Sequence, residues 1–413
     1  MTEYKRFELL DGVYLTAVRT DACAQSCLSI HFLTQLTRET AALNAALPFV
    51  LRRGSSRLPD AEAIDAALGQ MGGASITPRV VKLGELQAVG LRALFGADCF
   101  EQMARELICM ALSPNKRGGL LRPDWVKEEA AALLERQAGQ NPDAAELAEQ
   151  RLTEEMCCCE DYALSALGDA EGAESIHYQK LSRHYRTLTA TSPAEIFYCG
   201  PVAERAAAQT LRELLAGMAR GEMDEELGTD VRMNSLEAEA RVVVDEAPPE
   251  AEARFAVGWR LGEQMEDPDL PALRLLAASL EQALRKALSP EARVRLDMHK
   301  GILTLNAPLA VTPETARGIV DAQVDLIRTG GLDRETVSAA LDTLTAELSG
   351  IQNDAAALEA YWLERAPLGL IYSPEELAGL LSEVTASDLA GAAGAMECDL
   401  IYVCAEPADD PEA

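Results

Sequence analysis

The chain has 413 residues, of which 48% are hydrophobic and 25% charged, and this mixture excludes an intrinsically disordered protein. A chain of this length exceeds one ordinary core, so we expect two domains of about 200 residues each. The formal net charge of −30 disfavours nucleic acid and anionic membrane surfaces as partners, whereas a basic peptide is permitted.

The N-terminal segment MTEYKRFELLDGVYL has no apolar run after a basic start, and no stretch of about 18 apolar residues occurs in the chain. We therefore expect neither a secretory signal peptide nor a membrane span. The ten cysteines include three adjacent ones, Cys157 to Cys159, and none forms a paired CxxC knuckle. Mostly buried, reduced thiols are expected, which predicts a cytoplasmic protein, with a metal or redox site at the triplet as the alternative.

The predicted elements occur in the same order twice. The first half opens with the β-rich runs YKRFELLDGVYLTAVRT and CLSIHFLTQL, followed by helices from Glu39 to Arg53 and from Asp60 to Met71. The second half opens with AEARVVVDEA and ARFAVGWRLG, followed by a helix from Leu270 to Leu288. Each half is therefore expected to begin as a hairpin that leads into a helix.

The match continues toward the end of each half. Runs with a central turn, ASITPRVVKLGELQAVGLRAL and ARVRLDMHKGILTLNAPLAV, lead into amphipathic helices, and later helices are broken at QNPDAAEL and QNDAAAL. An acidic, aperiodic stretch separates the halves. The pattern predicts an N-terminal domain over residues 1–220, a linker over 221–237 and a homologous C-terminal domain over 238–413. Both are expected to be α+β, with a mostly antiparallel sheet and helices packed on one face.

Several segments together resemble the insulinase/pitrilysin family of zinc peptidases. They are the helix ending in LRRGSS, the segment LSRHYRTLTATSPAEIFYCG, and the C-terminal YSPEELAGLLSEVTASDLAGAA followed by DLIYV. The resemblance covers nearly the whole chain. It implies the LuxS/metallopeptidase-type fold of that family, in which two such halves enclose a cavity.

Active members of the family carry an HxxEH motif on the first helix, where two histidines bind zinc and the glutamate acts as general base. With the register fixed by Gly54 and Ser55, the resemblance places Ala45, Pro48 and Phe49 at these three positions. Alanine and phenylalanine have no lone pair to donate, and Pro48 lacks both the carboxylate and a helical N–H. The resemblance thus implies no catalytic residue, no cofactor and no bound zinc. Glu135 in AALLERQ is the nearest match to the distal glutamate ligand, with a vestigial surface carboxylate as the simpler interpretation.

A second family signature, REKxxLxY, is also incomplete in LRKALSPEARVRLDMHKG. Arg285 or Arg293 could replace its arginine, but the substrate-holding tyrosine is absent.

The chain contains four histidines, and any mechanism that needs an imidazole must use one of them. We expect His31 to be a satisfied strand residue, His177 and His184 to be exposed or to pack against a helix, and His299 to lie at the surface. Cys27 and His31 are about 13 Å apart along a strand, which is too far for a nucleophile and its base.

The resemblance implies a non-catalytic subunit that pairs with a paralogous, active insulinase-type peptidase, much as the silent and active subunits of the mitochondrial processing peptidase do. The pair would form a chamber that binds and processes peptide substrates. Two alternatives remain open: a divergent metallopeptidase with residual activity, and a stand-alone peptide-binding protein.

Overall fold

The computed structural model describes residues 3–140, 142–223, 227–232, 240–246, 252–262, 266 and 268–405. Its strands are β1 (Glu3–Leu10), β2 (Val13–Arg19), β3 (Ser26–Gln35), β4 (Ser75–Leu83), β5 (Leu86–Phe95), β6 (Lys116–Arg117), β7 (Leu120–Leu121), β8 (Ala194–Gly200), β9 (Arg241–Glu246), β10 (Arg254–Arg260), β11 (Arg293–Asp297), β12 (Ile302–Pro308) and β13 (Glu397–Ala405). Its helices are α1 (Ala41–Arg52), α2 (Ala61–Gln70), α3 (Phe100–Leu112), α4 (Pro123–Ala138), α5 (Ala144–Met156), α6 (Ala170–Glu174), α7 (Tyr178–Thr191), α8 (Glu204–Leu215), α9 (Leu270–Ala287), α10 (Pro313–Arg328), α11 (Arg334–Gln352), α12 (Ala355–Arg365), α13 (Pro374–Leu381) and α14 (Ala386–Gly394). Within these ranges no helix has the length and hydropathy of a membrane span.

The chain forms two compact units. Unit 1 consists of Met1–Gln140, Leu164–Gly228 and Ser349–Ser373, and unit 2 of Asn141–Ala163, Thr229–Leu348 and Pro374–Ala413. Each unit therefore contains a segment from the other half of the sequence. A single division at residues 221–237 does not anticipate this exchange, and residues 224–226 and 233–237 of that predicted linker lie outside the described part of the chain.

The two sheets repeat one topology. The sheet of unit 1 has the order β1-β2-β8-β3-β5-β4, and that of unit 2 has the order β9-β13-β10-β12-β11. Apart from the additional edge strand β1, the first order becomes the second when β2, β8, β3, β5 and β4 are replaced by β9, β13, β10, β12 and β11. In each sheet all pairs are antiparallel except one, β2 with β8 and β9 with β13. The predicted fold class, two α+β domains with mostly antiparallel sheets, is confirmed.

Helices cover both faces of the first sheet because its strands are apolar on both sides. Along β3, Leu28, Ile30 and Phe32 join the large core that also contains residues of α1 and α3. The alternate residue Leu33 packs with Leu363 of α12 on the opposite face. The sheet thus has helices from its own half on one face and an exchanged helix on the other, which differs from the expected packing of helices on one face only.

Unit 2 receives the reciprocal helix. Ala148, Leu152 and Met156 of α5 pack with Ala256 of β10 and Leu400 of β13. These α5 residues recur at spacings of four, so they form one apolar stripe. Each sheet is therefore covered by a helix that its own half of the sequence does not encode.

The expected opening hairpins are not formed between the runs that were predicted to pair. The strand that closes each half lies between them: β8 separates β2 from β3, and β13 separates β9 from β10. Every residue of β8 is buried, which suits a strand in the middle of a sheet with helices on both faces. The hairpin of the first half joins β1 to β2 instead.

Candidate functional site

The three positions expected to have lost their metal ligands lie on α1. The side chain of Ala45 is 0% exposed, Pro48 is buried and Phe49 is partly buried. Pro48 lies inside the helix, where it cannot donate a hydrogen bond to the carbonyl of Asn44. The helix nevertheless continues to Arg52, because ten of its twelve residues are buried in the core of unit 1.

A cation lies against this surface of α1. The guanidinium carbon of Arg136, on α4, is 3.8 Å from the centre of the Phe49 ring. Its Nη2 is 3.7 Å from Glu129, whose carboxylate also accepts a hydrogen bond from Arg53 at 3.0 Å. Arg53 also donates to Glu128 at 2.6 Å, so an aromatic ring, two arginines and two glutamates lie where α4 meets α1.

These residues do not fit a zinc ion. Ala45 and Phe49 offer no donor atom, and Arg136 brings a permanent positive charge to the same surface. In the described part of the chain, no group of three or more His, Cys, Asp or Glu side chains has the arrangement of a metal site. No chemical step that depends on a metal can be built on this helix.

Glu135, the expected match to the distal ligand, is exposed. The buried positions of α4 define the face that packs in the core, and Glu135 does not share it; they are Trp125, Val126, Ala130 and Leu133. Glu129 flanks that face and contacts Arg136, which stacks on Phe49, so Glu129 lies closer to the degenerate positions of α1 than Glu135 does. The spacing of apolar residues in α4 could have indicated Glu129 from the sequence.

A polar network anchors the residue before Ala45. Asn44 is fully buried, donates its amide hydrogen to Gln87 Oε1 at 2.8 Å and receives a hydrogen bond from His184 Nε2 at 2.6 Å. Burial, together with the charge of Lys180, lowers the pKa of His184 to about 4. His184 is therefore a neutral donor that ties α7 to α1, which is the helix-packing role expected for it. Asn44 and Gln87 were not anticipated.

The other histidines also have structural positions. The Nδ1 atom of His177 caps α7 by accepting a hydrogen bond from the Lys180 amide at 3.3 Å. The expectation that His299 lies at the surface is wrong: it is 4% exposed, because the turn after β11 is folded into unit 2. Its backbone N–H donates to Asp297 Oδ1 at 2.9 Å.

His31 is completely buried on β3, but it is not the satisfied residue that was expected. Within the described residues neither ring nitrogen has a hydrogen-bond partner, and Nε2 lies 3.5 Å from Glu359 Oε1. Burial and the charges of two arginines lower the pKa of His31 to about 3. Burial also raises the pKa of the Cys27 thiol on the same strand, so the pair has neither a thiolate nor a base strong enough to generate one.

The arginines considered for substrate binding in the second half are engaged locally. Arg285 Nη2 lies 2.6 Å from Glu281 one turn earlier on α9, and its Nε donates to the carbonyl of Ala292. Arg293, at the start of β11, donates to the same carbonyl at 3.4 Å. Both stabilise the connection between α9 and β11.

The chain is similar to known proteins along nearly its whole length, although no family model matches it. A probable inactive metalloprotease of Bacillus subtilis, YmfF, is 20% identical over an alignment of 411 positions that covers 95% of each chain. A conserved protein from Enterococcus faecalis has a TM-score of 0.83 at 16% identity over 98% of this chain and 99% of that one. An inactive domain of a Pseudomonas fluorescens M16 peptidase has a TM-score of 0.74 at 15% identity over 98% and 99% of the two chains. A chain of complex III2 from Candida albicans has a TM-score of 0.73 at 16% identity over 97% and 95%.

These similarities confirm the resemblance that the sequence motifs indicated. The fold is the one found in M16 peptidases, and the similarity extends over both units rather than over one of them. Two of these relatives are described as inactive, which agrees with the predicted absence of peptidase activity.

Proposed function

The chain has an M16-peptidase fold and is similar throughout to a probable inactive metalloprotease, and from this premise we propose that it is a non-catalytic subunit that pairs with an active zinc-peptidase paralogue. In the pair, the partner supplies the zinc and the general base. This chain supplies wall and peptide-binding surface to the processing chamber.

The observation that carries the proposal is the guanidinium of Arg136 stacked 3.8 Å from the Phe49 ring. We take Ala45, Pro48 and Phe49 to be the degenerate ligand positions. A stacked arginine is worth about 0.5–2 kcal/mol and carries a charge that repels a divalent cation. The interface between α1 and α4 is thereby stabilised by contacts that a metal site would have to break.

Two further observations support a partner and a peptide ligand. A chain with the same fold belongs to complex III2 of Candida albicans, so this fold is compatible with incorporation into a larger assembly. The net charge of −30 favours binding of basic peptide segments, and their affinity for the chain should fall as salt is added.

All ten cysteines are free thiols, which supports our proposal that the protein resides in the reducing cytoplasm.

The metal part of the proposal predicts the outcome of restoring the motif. We expect the triple variant A45H/P48E/F49H to bind zinc weakly, because Arg136 still occupies the surface and still pairs with Glu129. Adding R136L should increase the zinc affinity by about tenfold or more, measured by competition with a chelating dye. Peptide turnover should remain absent in both variants, since the tyrosine of the second signature is missing.

The matched control for R136L is R122L, which removes an arginine stacked 4.7 Å from the Trp125 ring at the start of the same helix. It should leave the zinc affinity of the triple variant unchanged. One zinc per wild-type chain, or equal affinities with and without R136L, would contradict the role given to Arg136.

The pairing part is tested by co-expression with a paralogue from the same genome that carries an intact HxxEH motif. We expect the two chains to elute together from a size-exclusion column at micromolar concentrations, and the peptidase rate of the paralogue to rise in the complex. The purified chain alone should not cleave casein or unstructured peptides, with or without zinc.

Two other outcomes of these experiments would each support one of the alternative functions. If the chains elute separately and the paralogue is equally fast alone, a stand-alone peptide-binding protein is the better account. If this chain alone shows chelator-sensitive cleavage after removal of contaminating proteases, it is a divergent metallopeptidase.

A further inference from the structure

A cavity of about 490 Å³ opens in unit 1 between α3, α7 and the end of α8. Fifteen residues line it, and the charged ones are Arg57, Arg105, Lys116 and Arg186. None of the fifteen is acidic, in a chain that carries 30 more acidic than basic side chains. Such a concentration of positive charge is opposite in sign to the protein as a whole.

One of these cations is neutralised within unit 1. Arg57 donates from Nε and Nη2 to the buried carboxylate of Glu106 at 3.0–3.2 Å. This bidentate pair fixes the guanidinium at the edge of the cavity.

The other three cations, Arg105, Lys116 and Arg186, have no carboxylate within 4.0 Å among the residues that the structure describes. Lys116 Nζ lies 5.0 Å above the ring of Tyr185, and Arg186 Nε donates to the carbonyl of Ser182 on its own helix. Burial, together with the charge of Arg186, lowers the pKa of Lys116. Two like charges are thus held close enough to repel each other, and an anion between them would relieve that repulsion.

The apolar part of the lining limits the kind of anion. Ile108, Leu214 and Met218 form part of the cavity wall beside the cations. A volume of about 490 Å³ is in the range of small-molecule sites and is larger than a bare phosphate ion requires. Arginine guanidinium groups match the paired oxygens of a phosphate group.

We propose that this cavity binds a phosphate monoester of a small organic molecule, with the phosphate oxygens between Lys116 and Arg186 and the organic group against Ile108 and Met218. The site is separate from α1, so it does not depend on the proposed pairing with a peptidase. The net charge of −30 disfavours a nucleic acid, which carries many phosphates, as the source of the phosphate.

The test is isothermal titration calorimetry of the full chain with phenyl phosphate. We expect saturable binding at millimolar or lower concentrations, weakening as salt is raised. Inorganic phosphate, benzoate and benzyl alcohol separate the contributions of the anion and the ring. Each should bind at least about fivefold more weakly than phenyl phosphate, by roughly 1 kcal/mol or more.

K116Q and R186Q should each weaken phenyl phosphate binding by about tenfold or more. R183Q is the matched control, since Arg183 lies one turn earlier on α7, is exposed and does not line the cavity. It should change the affinity by less than about twofold. Without ligand, K116Q and R186Q should unfold at the same temperature as the wild type or higher, because each removes a repelling charge.

Four results would overturn the proposal. They are no binding of phenyl phosphate by the folded wild type, inorganic phosphate binding equally well, benzoate binding equally well, and R183Q losing as much affinity as R186Q.

Discussion

Units 1 and 2 each bury charged side chains where the exchanged helix meets the sheet, and the two clusters can be compared directly. In unit 2, Arg260 on β10 donates from Nε to Asp399 at 2.7 Å and from Nη2 to Glu160 at 2.7 Å and to the carbonyl of Met156 at 2.9 Å. Lys300 Nζ lies 2.5 Å from Glu160. Two cations therefore face two carboxylates, with short hydrogen bonds between them.

The cluster in unit 1 has similar charges and much poorer contacts. Glu359 on α12 is 0% exposed, and its two oxygens lie 3.5 Å from His31 and 3.6 Å from Arg92. Within the described residues neither oxygen has a hydrogen-bond partner. Burial raises the pKa of Glu359, although Arg79 and Arg92 oppose the shift. For Glu160, by contrast, the hydrogen bonds from Arg260 and Lys300 lower the pKa by more than burial raises it.

The difference shows that docking of the exchanged helix does not itself require a buried charge. Both helices begin after an N-cap aspartate, Asp143 for α5 and Asp354 for α12. Five residues later, the first has Ala148 and the second has Glu359, and both side chains are buried. The network of unit 2 stabilises the native arrangement, whereas Glu359 in unit 1 lacks such close contacts and its burial favours the protonated form.

Loss of Arg260 is expected to reduce the stability of the protein more than any other change considered below. R260M leaves Asp399 buried without its arginine and Glu160 with Lys300 as its cation, which should reduce the free energy of unfolding by about 3–5 kcal/mol. Urea denaturation measures the loss, and hydrogen exchange should localise it to unit 2. R295M is the control: Arg295 contacts Glu149 of α5 at 2.6 Å but is 71% exposed, so its pair should contribute about 0–1 kcal/mol. Equal losses in the two variants would remove the distinction between the clusters.

The second effect is a pH dependence that originates in unit 1. His31 has a pKa of about 3 in the folded chain, against about 6.5 when unfolded. The unfolded state therefore takes up a proton first, and stability falls as the pH drops from about 6.5 toward 3, by at most about 1.4 kcal/mol per pH unit. H31L should match the wild type within about 1 kcal/mol at pH 7 and exceed its stability at pH 4.5. Parallel stability curves for the two proteins would contradict the assignment.

The smallest effect is expected for E359Q. The substitution keeps the shape of the side chain and reproduces its protonated form, so below the ordinary carboxyl pKa it should change the free energy of unfolding by less than about 1 kcal/mol. As the pH rises through the raised folded pKa of Glu359, the wild type should lose stability and the variant should not. E160Q is the matched control and should cost more, because Glu160 accepts hydrogen bonds from Arg260 and Lys300. A larger loss in E359Q would reverse the comparison.

The duplicated order of elements was predictable because each strand and helix has its own periodic signal. The exchange was not, because the breaks at QNPDAAEL and QNDAAAL show where a helix ends but not which sheet covers its apolar stripe. The pairing of β2 with β8 was missed for a related reason: strands adjacent in sequence were expected to pair, and the closing strand inserts between them.

At the candidate site, residue identity was enough to question metal binding at Ala45 and Phe49, since neither has a donor atom. Partners across helices were harder to predict. The stacking of Arg136 on Phe49 depends on how α4 packs against α1, and the choice of Glu135 over Glu129 followed local sequence rather than the buried face of the helix. His299 was misplaced because a turn sequence does not reveal whether the turn is folded inward.

The exchange of helices also determines when the first sheet can be covered on both faces during synthesis. All strands of the first sheet have been made once residue 200 leaves the ribosome, but the helix that covers one of its faces, α12, ends at Arg365. At about 5–20 residues per second, that face waits roughly 8–33 s for its cover. The nascent protein therefore presents a nearly finished sheet with an open apolar side for much of its translation, which makes this interval the natural point of action for a cellular chaperone.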